Sequence, residues 1–165
     1  MIPSNEPGAP RSRLYRATAW LTGTRFGRAL AMRLAARVDP WLLRRTNGRL
    51  STTPHIRQVL VTVPGRRSGV PRTTPLLYFT QGHEVILIAS SFGRDRHPAW
   101  YRNVLAHPEV TLTSKGITAT YVAREETADA ERERLLGHAA EMFSAYGGYV
   151  QRTSRRIPVL RLTPR

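Results

Sequence analysis

Apolar and polar residues change their period along the chain, and the change divides it. Between Arg13 and Val38 the apolar positions Leu14, Ala17 and Leu21, then Phe26, Leu30 and Leu34, recur at intervals of three and four. That spacing predicts a helical face, with Thr22-Gly23-Thr24 as a point of division. After the turn signal Asn47-Gly48, the pattern becomes short runs of Val, Ile, Leu, Thr and aromatic residues bounded by turn formers. These runs predict strands over Gln58–Val63, Val70–Phe79, Glu84–Ser90, Val110–Ser114, Ile117–Arg124 and Val159–Leu162, with tight turns at Gln81-Gly82 and Lys115-Gly116. Two helices interrupt them, a short one over Pro98–Ala106 and a longer one over Asp129–Ser144. Connections this tight dictate antiparallel pairing, and six or so strands with few helices predict a small barrel or strongly curled sheet.

Composition adds the boundaries. At 165 residues the chain suits one domain with a full core. Residues 1–11 hold three prolines and one glycine with little apolar content, which predicts disorder, and residues 12–45 form a basic helical segment. No cysteine is present, which excludes disulfides, thiolate nucleophiles and cysteine-ligated metal or iron–sulfur centres. No apolar run approaches the roughly 20 residues that span a bilayer, and no signal-peptide core is seen. A cytoplasmic protein is expected, with peripheral contact at the inner membrane surface through residues 12–45, where arginines accompany Trp20, Phe26 and Trp41.

Charge changes the picture more. The net charge is +15, from 26 basic and 11 acidic residues, and the first 50 residues carry 10 basic against 2 acidic. Such a balance implies an anionic partner: nucleic acid, an acidic membrane or a polyanionic small molecule. Of the basic residues only Lys115 is a lysine, a skew that a GC-rich genome produces without selection at each site.

The candidate chemistry gathers in three places. In Gly65–Leu77, GRRSGVPRTTPLL, three arginines sit in a glycine-bounded turn that opens onto a strand. Their forked, permanently charged guanidiniums match phosphate and carboxylate oxygens two at a time. Gly65 and Gly69 would permit positive φ and close approach, so that the Arg66–Ser68 N–H groups form an anion nest and the Ser68 hydroxyl adds a donor. In His97–Asn103, HPAWYRN, Pro98 suits the first position of a helix whose free N–H groups face the preceding loop. Trp100 and Tyr101 must diverge by about 100° on that helix, one toward the core and one toward a cleft. Finally Phe143, Tyr146 and Tyr149 recur at intervals of three around Gly147-Gly148, an aromatic face able to wall a flat ligand. No metal site is expected, because the five histidines lack metal-binding spacing. Neither a Gly-x-Ser-x-Gly elbow nor a Gly-x-Gly-x-x-Gly fingerprint occurs, so any redox chemistry would come from a bound organic cofactor.

Read together, GRRSGVPRTTPLLYF, IASSFG, HPAWYRNVLAHPEV and YGGYVQRTSRRIPVLRLTP resemble the deazaflavin-dependent nitroreductase family over about residues 45–164. The resemblance implies an α+β, mainly β fold, an antiparallel split β-barrel over residues 46–165 with an N-terminal helix and two or three further helices. It implies coenzyme F420 as cofactor and hydride transfer from the reduced coenzyme to a quinone-like, nitroaromatic or other electron-poor conjugated acceptor. By the same resemblance Arg66, Arg67, Ser68, Arg72, Thr73, Thr74, Pro75, Leu76 and Leu77 hold the phosphate and glutamate tail. Ile88, Ala89, Ser90 and Ser91 lie along the ring, and Ala99, Trp100, Tyr101, Arg102 and Asn103 complete the coenzyme site. Ser90, Phe143, Tyr146 and Tyr149 line the substrate side, with Tyr146 as a proton donor. The loop SFGRDRH is more charged than the glycine-rich version of that family, which bears on acceptor scope. Two alternatives stand beside this reading: an FMN-binding oxidoreductase of the same barrel type, and a non-enzymatic basic module binding nucleic acid or a membrane surface. No specific nucleic-acid motif is present, and a homodimer is compatible with the sequence.

Overall fold

The computed structural model describes residues 1–5, 38–52, 57–143, 148 and 153–165. Seven antiparallel strands form one sheet: β1 (Gln58–Pro64), β2 (Pro71–Leu77), β3 (Phe79–Gln81), β4 (Glu84–Ile88), β5 (Glu109–Ser114), β6 (Ile117–Glu125) and β7 (Val159–Pro164). Their order in the sheet is β2-β1-β5-β6-β7-β4-β3. The two end strands of that order, β2 and β3, are separated in the chain by Tyr78 alone, so the sheet has to curl until its edges approach. This is the curled, mainly β half-barrel that the sequence predicts.

One strand more than expected is present, because Val70–Phe79 does not run through. It breaks at Tyr78, whose buried side chain turns into the barrel and donates its hydroxyl to the Pro3 carbonyl (2.9 Å). An apolar run gives no sign of such a break, since both halves remain rich in strand formers. Among the described residues the α-helical stretches include α1 (residues 38–45), α2 (Ala99–Ala106) and α3 (Asp129–Met142).

Alternation places the core. Val59, Val61 and Val63 of β1, Val110 and Leu112 of β5, Tyr121 and Ala123 of β6, and Leu160 and Leu162 of β7 point into the barrel. Each such side chain, fully buried, contributes about 1.5–3 kcal/mol. The continuous apolar run of β4 is buried on both faces: Val85 and Leu87 face the barrel, while Ile86 and Ile88 meet Leu135 and Ala139 of α3. Trp100, Tyr101 and Val104 of α2 cap the barrel core.

Turn chemistry agrees with the sequence. Asn47-Gly48 and Lys115-Gly116 each adopt two successive positive φ values, and the two turns dock through Lys115 N–H to Gly48 O (3.0 Å) and Gly116 N–H to Asn47 O (2.8 Å). The disorder expected for residues 1–11 does not hold for the first five. Ile2 is buried and its N–H donates to the Tyr121 hydroxyl (3.1 Å), and the Asn5 side chain and N–H bond the Tyr78 carbonyl and Thr80 hydroxyl. Local composition misses this because the docking partners lie more than 70 residues away. Residues 12–37 of the basic segment fall outside the described residues.

Candidate functional site

The β1–β2 hairpin carries the arginine turn. Gly65 N–H donates to Val70 O (2.9 Å), and Ser68 N–H (3.1 Å) and Gly69 N–H (2.7 Å) both return to Gly65 O, closing a compact loop. Gly69 has φ +66, as its place at the loop's end requires. Gly65 does not adopt positive φ. Glycine is needed there for space, since a Cβ would lie 2.9 Å from Ser68 Oγ and 3.2 Å from Val70 O. The anion nest expected from the Arg66–Ser68 N–H groups is likewise corrected. Ser68 N–H is spent inside the loop, and Arg66 N–H donates to Asn103 Oδ1 on α2 (3.2 Å). Backbone bonding thus fixes the loop and ties it to α2, leaving the guanidiniums to carry the charge.

A cleft of about 750 Å³ opens between this hairpin, the first turn of α2 and the end of α1. Arg66, Arg67, Ser68, Arg72, Thr73, Thr74, Ala99, Trp100 and Asn103 line it, all of them expected from the sequence, together with Gly65, Pro71 and Arg44. Four guanidiniums therefore border one cavity. No carboxylate among the described residues pairs with any of them, whereas Arg124, Arg132, Arg134, Arg156, Arg161 and Arg165 all meet acids. Arg44 had been legible only as one more charge of the basic segment. It is delivered here by Asp39, buried at the start of α1, which accepts from Thr52 N–H (2.6 Å) and Ser51 Oγ (3.1 Å) and so anchors the helix beside β1.

The remaining expected coenzyme residues lie elsewhere. Pro75 is in β2 opposite Leu60, Leu76 packs on the barrel core and Leu77 on the α3 core. Tyr101 is buried, its hydroxyl donating to Glu125 Oε2 (2.7 Å); burial and that bond push its pKa up to about 12. Arg102 is exposed on the opposite side of α2 from the core. Ile88 faces α3, Ala89 is fully buried in the barrel core, and Ser90 and Ser91 follow at the strand's end. Phe143 packs beside the α3 core. Tyr146 and Tyr149 lie outside the described residues.

After Ser90 the backbone turns left-handed for three residues, Ser91 (φ 51), Phe92 (φ 58) and Gly93 (φ 76). The two with a Cβ each cost roughly 1–2 kcal/mol in that conformation. Phe92 is 69% exposed. At the far end of the loop His97 stacks on Tyr101 with ring centroids 5.0 Å apart, and its pKa is lowered by burial and by the neighbouring Arg155 and Arg102 charges. The sequence marks His97 as the first residue of HPAWYRN without giving it a role of its own, and does not single out Arg155. Among the described residues no group of acids and histidines is placed to hold a metal.

Fold and cleft together define a split-barrel protein with a cationic cleft. The family model described as F420H(2)-dependent quinone reductase matches residues 35–164, and the chain belongs to that family. A relative, the F420H(2)-dependent quinone reductase of Mycobacterium tuberculosis, is 32% identical over 138 residues, covering 78% of this chain and 89% of its own. Among solved structures, an F420-H2 dependent reductase (FDR-A) is 34% identical with a TM-score of 0.59, covering 64% of this chain and 93% of its own. Another, described as a domain-swapped dimer, is 30% identical with a TM-score of 0.60 and covers 77% of this chain and 97% of its own. The resemblance drawn from the four motifs is thus borne out at the level of family and fold.

Proposed function

We propose that this chain is a reductase that uses the reduced deazaflavin coenzyme F420 to reduce quinone-like acceptors, with nitroaromatic and other electron-poor conjugated compounds as further substrates. The observation that carries this is the cleft with Arg44, Arg66, Arg67 and Arg72 at its border and no acid among the described residues to neutralise them. A phosphate followed by glutamate carboxylates is the ligand chemistry that such a donor set fits. The FMN alternative draws no support from the family model or from the F420-dependent relatives, whose descriptions name F420.

In this reading Arg66, Arg67, Ser68, Arg72, Thr73 and Thr74 hold the phosphate and tail, and Arg44 joins them from α1. Ile88–Ser91 border the ring at the end of β4. Ala99–Asn103 complete the site, with Trp100, only 9% exposed, closing one wall against water and Asn103 holding the arginine turn through Arg66 N–H. When bound, the reduced coenzyme supplies the hydride, so the protein's part is alignment and exclusion of water. Ser90, Phe143, Tyr146 and Tyr149 face the acceptor, and the Tyr146 hydroxyl delivers the proton that completes the reduction.

Titrating the protein with oxidised and reduced F420, with FMN in parallel and at two salt concentrations, tests the reading by tryptophan quenching. Saturable F420 binding without comparable FMN binding is expected, and binding of neither would sink it. The basic segment 12–45 serves to approach membrane quinones. Trp41, near its end, is 61% exposed, as an interfacial anchor would be, although no helix among the described residues is long and apolar enough to cross a membrane. Flotation with anionic liposomes before and after removing residues 1–45 decides this, and equal flotation of both forms would count against it.

A further inference from the structure

Arg155 stands just before β7, half-buried, and meets no carboxylate as an ion pair among the described residues. Its Nε donates to Arg94 O (3.3 Å), its Nη1 to His97 Nδ1 (2.9 Å) and Arg156 O (3.1 Å), and its Nη2 to Ala89 O (3.2 Å) and Ser90 O (3.1 Å). A guanidinium has five N–H donors, and here all are spent, on main-chain carbonyls and one imidazole nitrogen. Four of the acceptors belong to a single segment, 89–97, at its beginning and at its end. Between them lies the left-handed run Ser91–Gly93.

Such a run persists only where its surroundings over-determine it. Among the described residues the segment is also tied by Thr153 Oγ1 to Asp95 Oδ1 (3.2 Å) and by Ala89 N–H to Pro158 O (2.9 Å). Because His97 Nδ1 accepts from Arg155, the ring is neutral and carries its proton on Nε2. The other groups acting on that ring are Arg102 and Tyr101 on α2 and Glu125 on β6, and burial together with the two arginines favours the uncharged form.

We propose that Arg155 is a positioning residue for the reduction: its fully committed guanidinium fixes segment 89–97, so that Ser90, the left-handed turn and neutral His97 present one rigid wall to the acceptor. The role rests on the reading that Ser90 and Ser91 border the coenzyme ring. A five-donor fork is required, because an ammonium offers three donors from a point and cannot span acceptors on both ends of the segment.

The test compares the full chain with Arg155→Lys and Arg155→Gln. Amide hydrogen exchange, measured without coenzyme, should quicken at least tenfold in peptides covering 89–97 in both variants. With F420 the dissociation constant should stay within threefold, while kcat with a water-soluble benzoquinone falls at least tenfold, since small misplacement of reacting groups costs rate steeply. Wild-type kcat in Arg155→Lys would show that charge alone suffices and would overturn the proposal. So would unchanged exchange at 89–97, or a tenfold loss of F420 affinity, which would make Arg155 a coenzyme-binding group. Should Arg155→Gln fail to fold, the lysine variant carries the comparison. Failure of the wild-type chain to bind F420 would sink the functional reading and the positioning role with it, whereas intact binding with unchanged exchange overturns the clamp alone.

Discussion

A guanidinium that already faces a carboxylate has little left to offer a ligand, and this chain contains both kinds. Arg156 is shared between Glu125 and Asp129, while Arg66, Arg67 and Arg72 pair with no acid among the described residues. The double variant Arg67→Ala, Arg72→Ala should therefore weaken F420 binding by several kcal/mol, at roughly 1.5–3 kcal/mol for each charge-assisted contact. Fluorescence titration reads this, and an unchanged dissociation constant would remove the anion site. Gly65→Ala should destabilise the loop by about 1–3 kcal/mol, because the added methyl meets Ser68 Oγ and the Val70 carbonyl. Thermal melting and F420 affinity should fall together in that variant. The arginine turn was legible because glycine and arginine announce their chemistry locally. Arg155 was not, since nothing in TSRRIP distinguishes an arginine that clamps a distant strand end from its neighbour Arg156, which pairs with acids.

At the level of elements, the strands were legible wherever one face is buried and the other wet, as in β5, where Val110 and Leu112 alternate with Thr111 and Thr113. Alternation fails to explain Arg161, a buried charge in the apolar strand β7. Its partners are Glu84 at the start of β4, Glu126 after β6 (2.7 Å) and Glu131 on α3, so the cluster closes only once these three elements have packed around β7. Hydrogen bonding to Arg134, then the Arg134 and Arg161 charges, pull the Glu131 pKa down to about 2; Glu126 is lowered chiefly by Arg161, and Asp129 by Arg156. These groups bind protons more weakly when folded than unfolded. Their contribution is fully present above the ordinary carboxylate range and is lost as pH falls through it toward 2. The melting temperature should drop steeply between about pH 4.5 and 2, and a flat profile there would contradict the assignment. Arg161→Leu, which leaves Glu126 without a cationic partner and Glu84 and Glu131 with Arg124 and Arg134 alone, should cost about 3 kcal/mol.

For the molecule as a whole, length and the absence of a linker indicated one unit, but the N-terminal residues read as a tail. Ile2 instead fills the barrel core and Asn5 bridges to Tyr78 and Thr80. Ile2→Ala should lower stability by about 2 kcal/mol, measured by denaturant unfolding; no change would restore the tail. In the proposed reading Tyr146 and Tyr149 belong to the acceptor side. Their helical spacing was clear, and Tyr146→Ala should mainly lower turnover with bulky acceptors. A loss confined to coenzyme affinity would reassign the residue. The order of the sheet has one more outcome. Among the described residues, β7 is the strand whose ladders join β2-β1-β5-β6 to β4-β3, and it pairs Val85 with Leu162 and Ala123 with Leu162 across long spans of sequence. Until residues 159–164 are available, a nascent chain holds two partial sheets, each with an exposed edge at β6 or β4. Closure of the sheet thereby waits for β7, and a chain cut before Val159 would expose both edges to pairing with other chains.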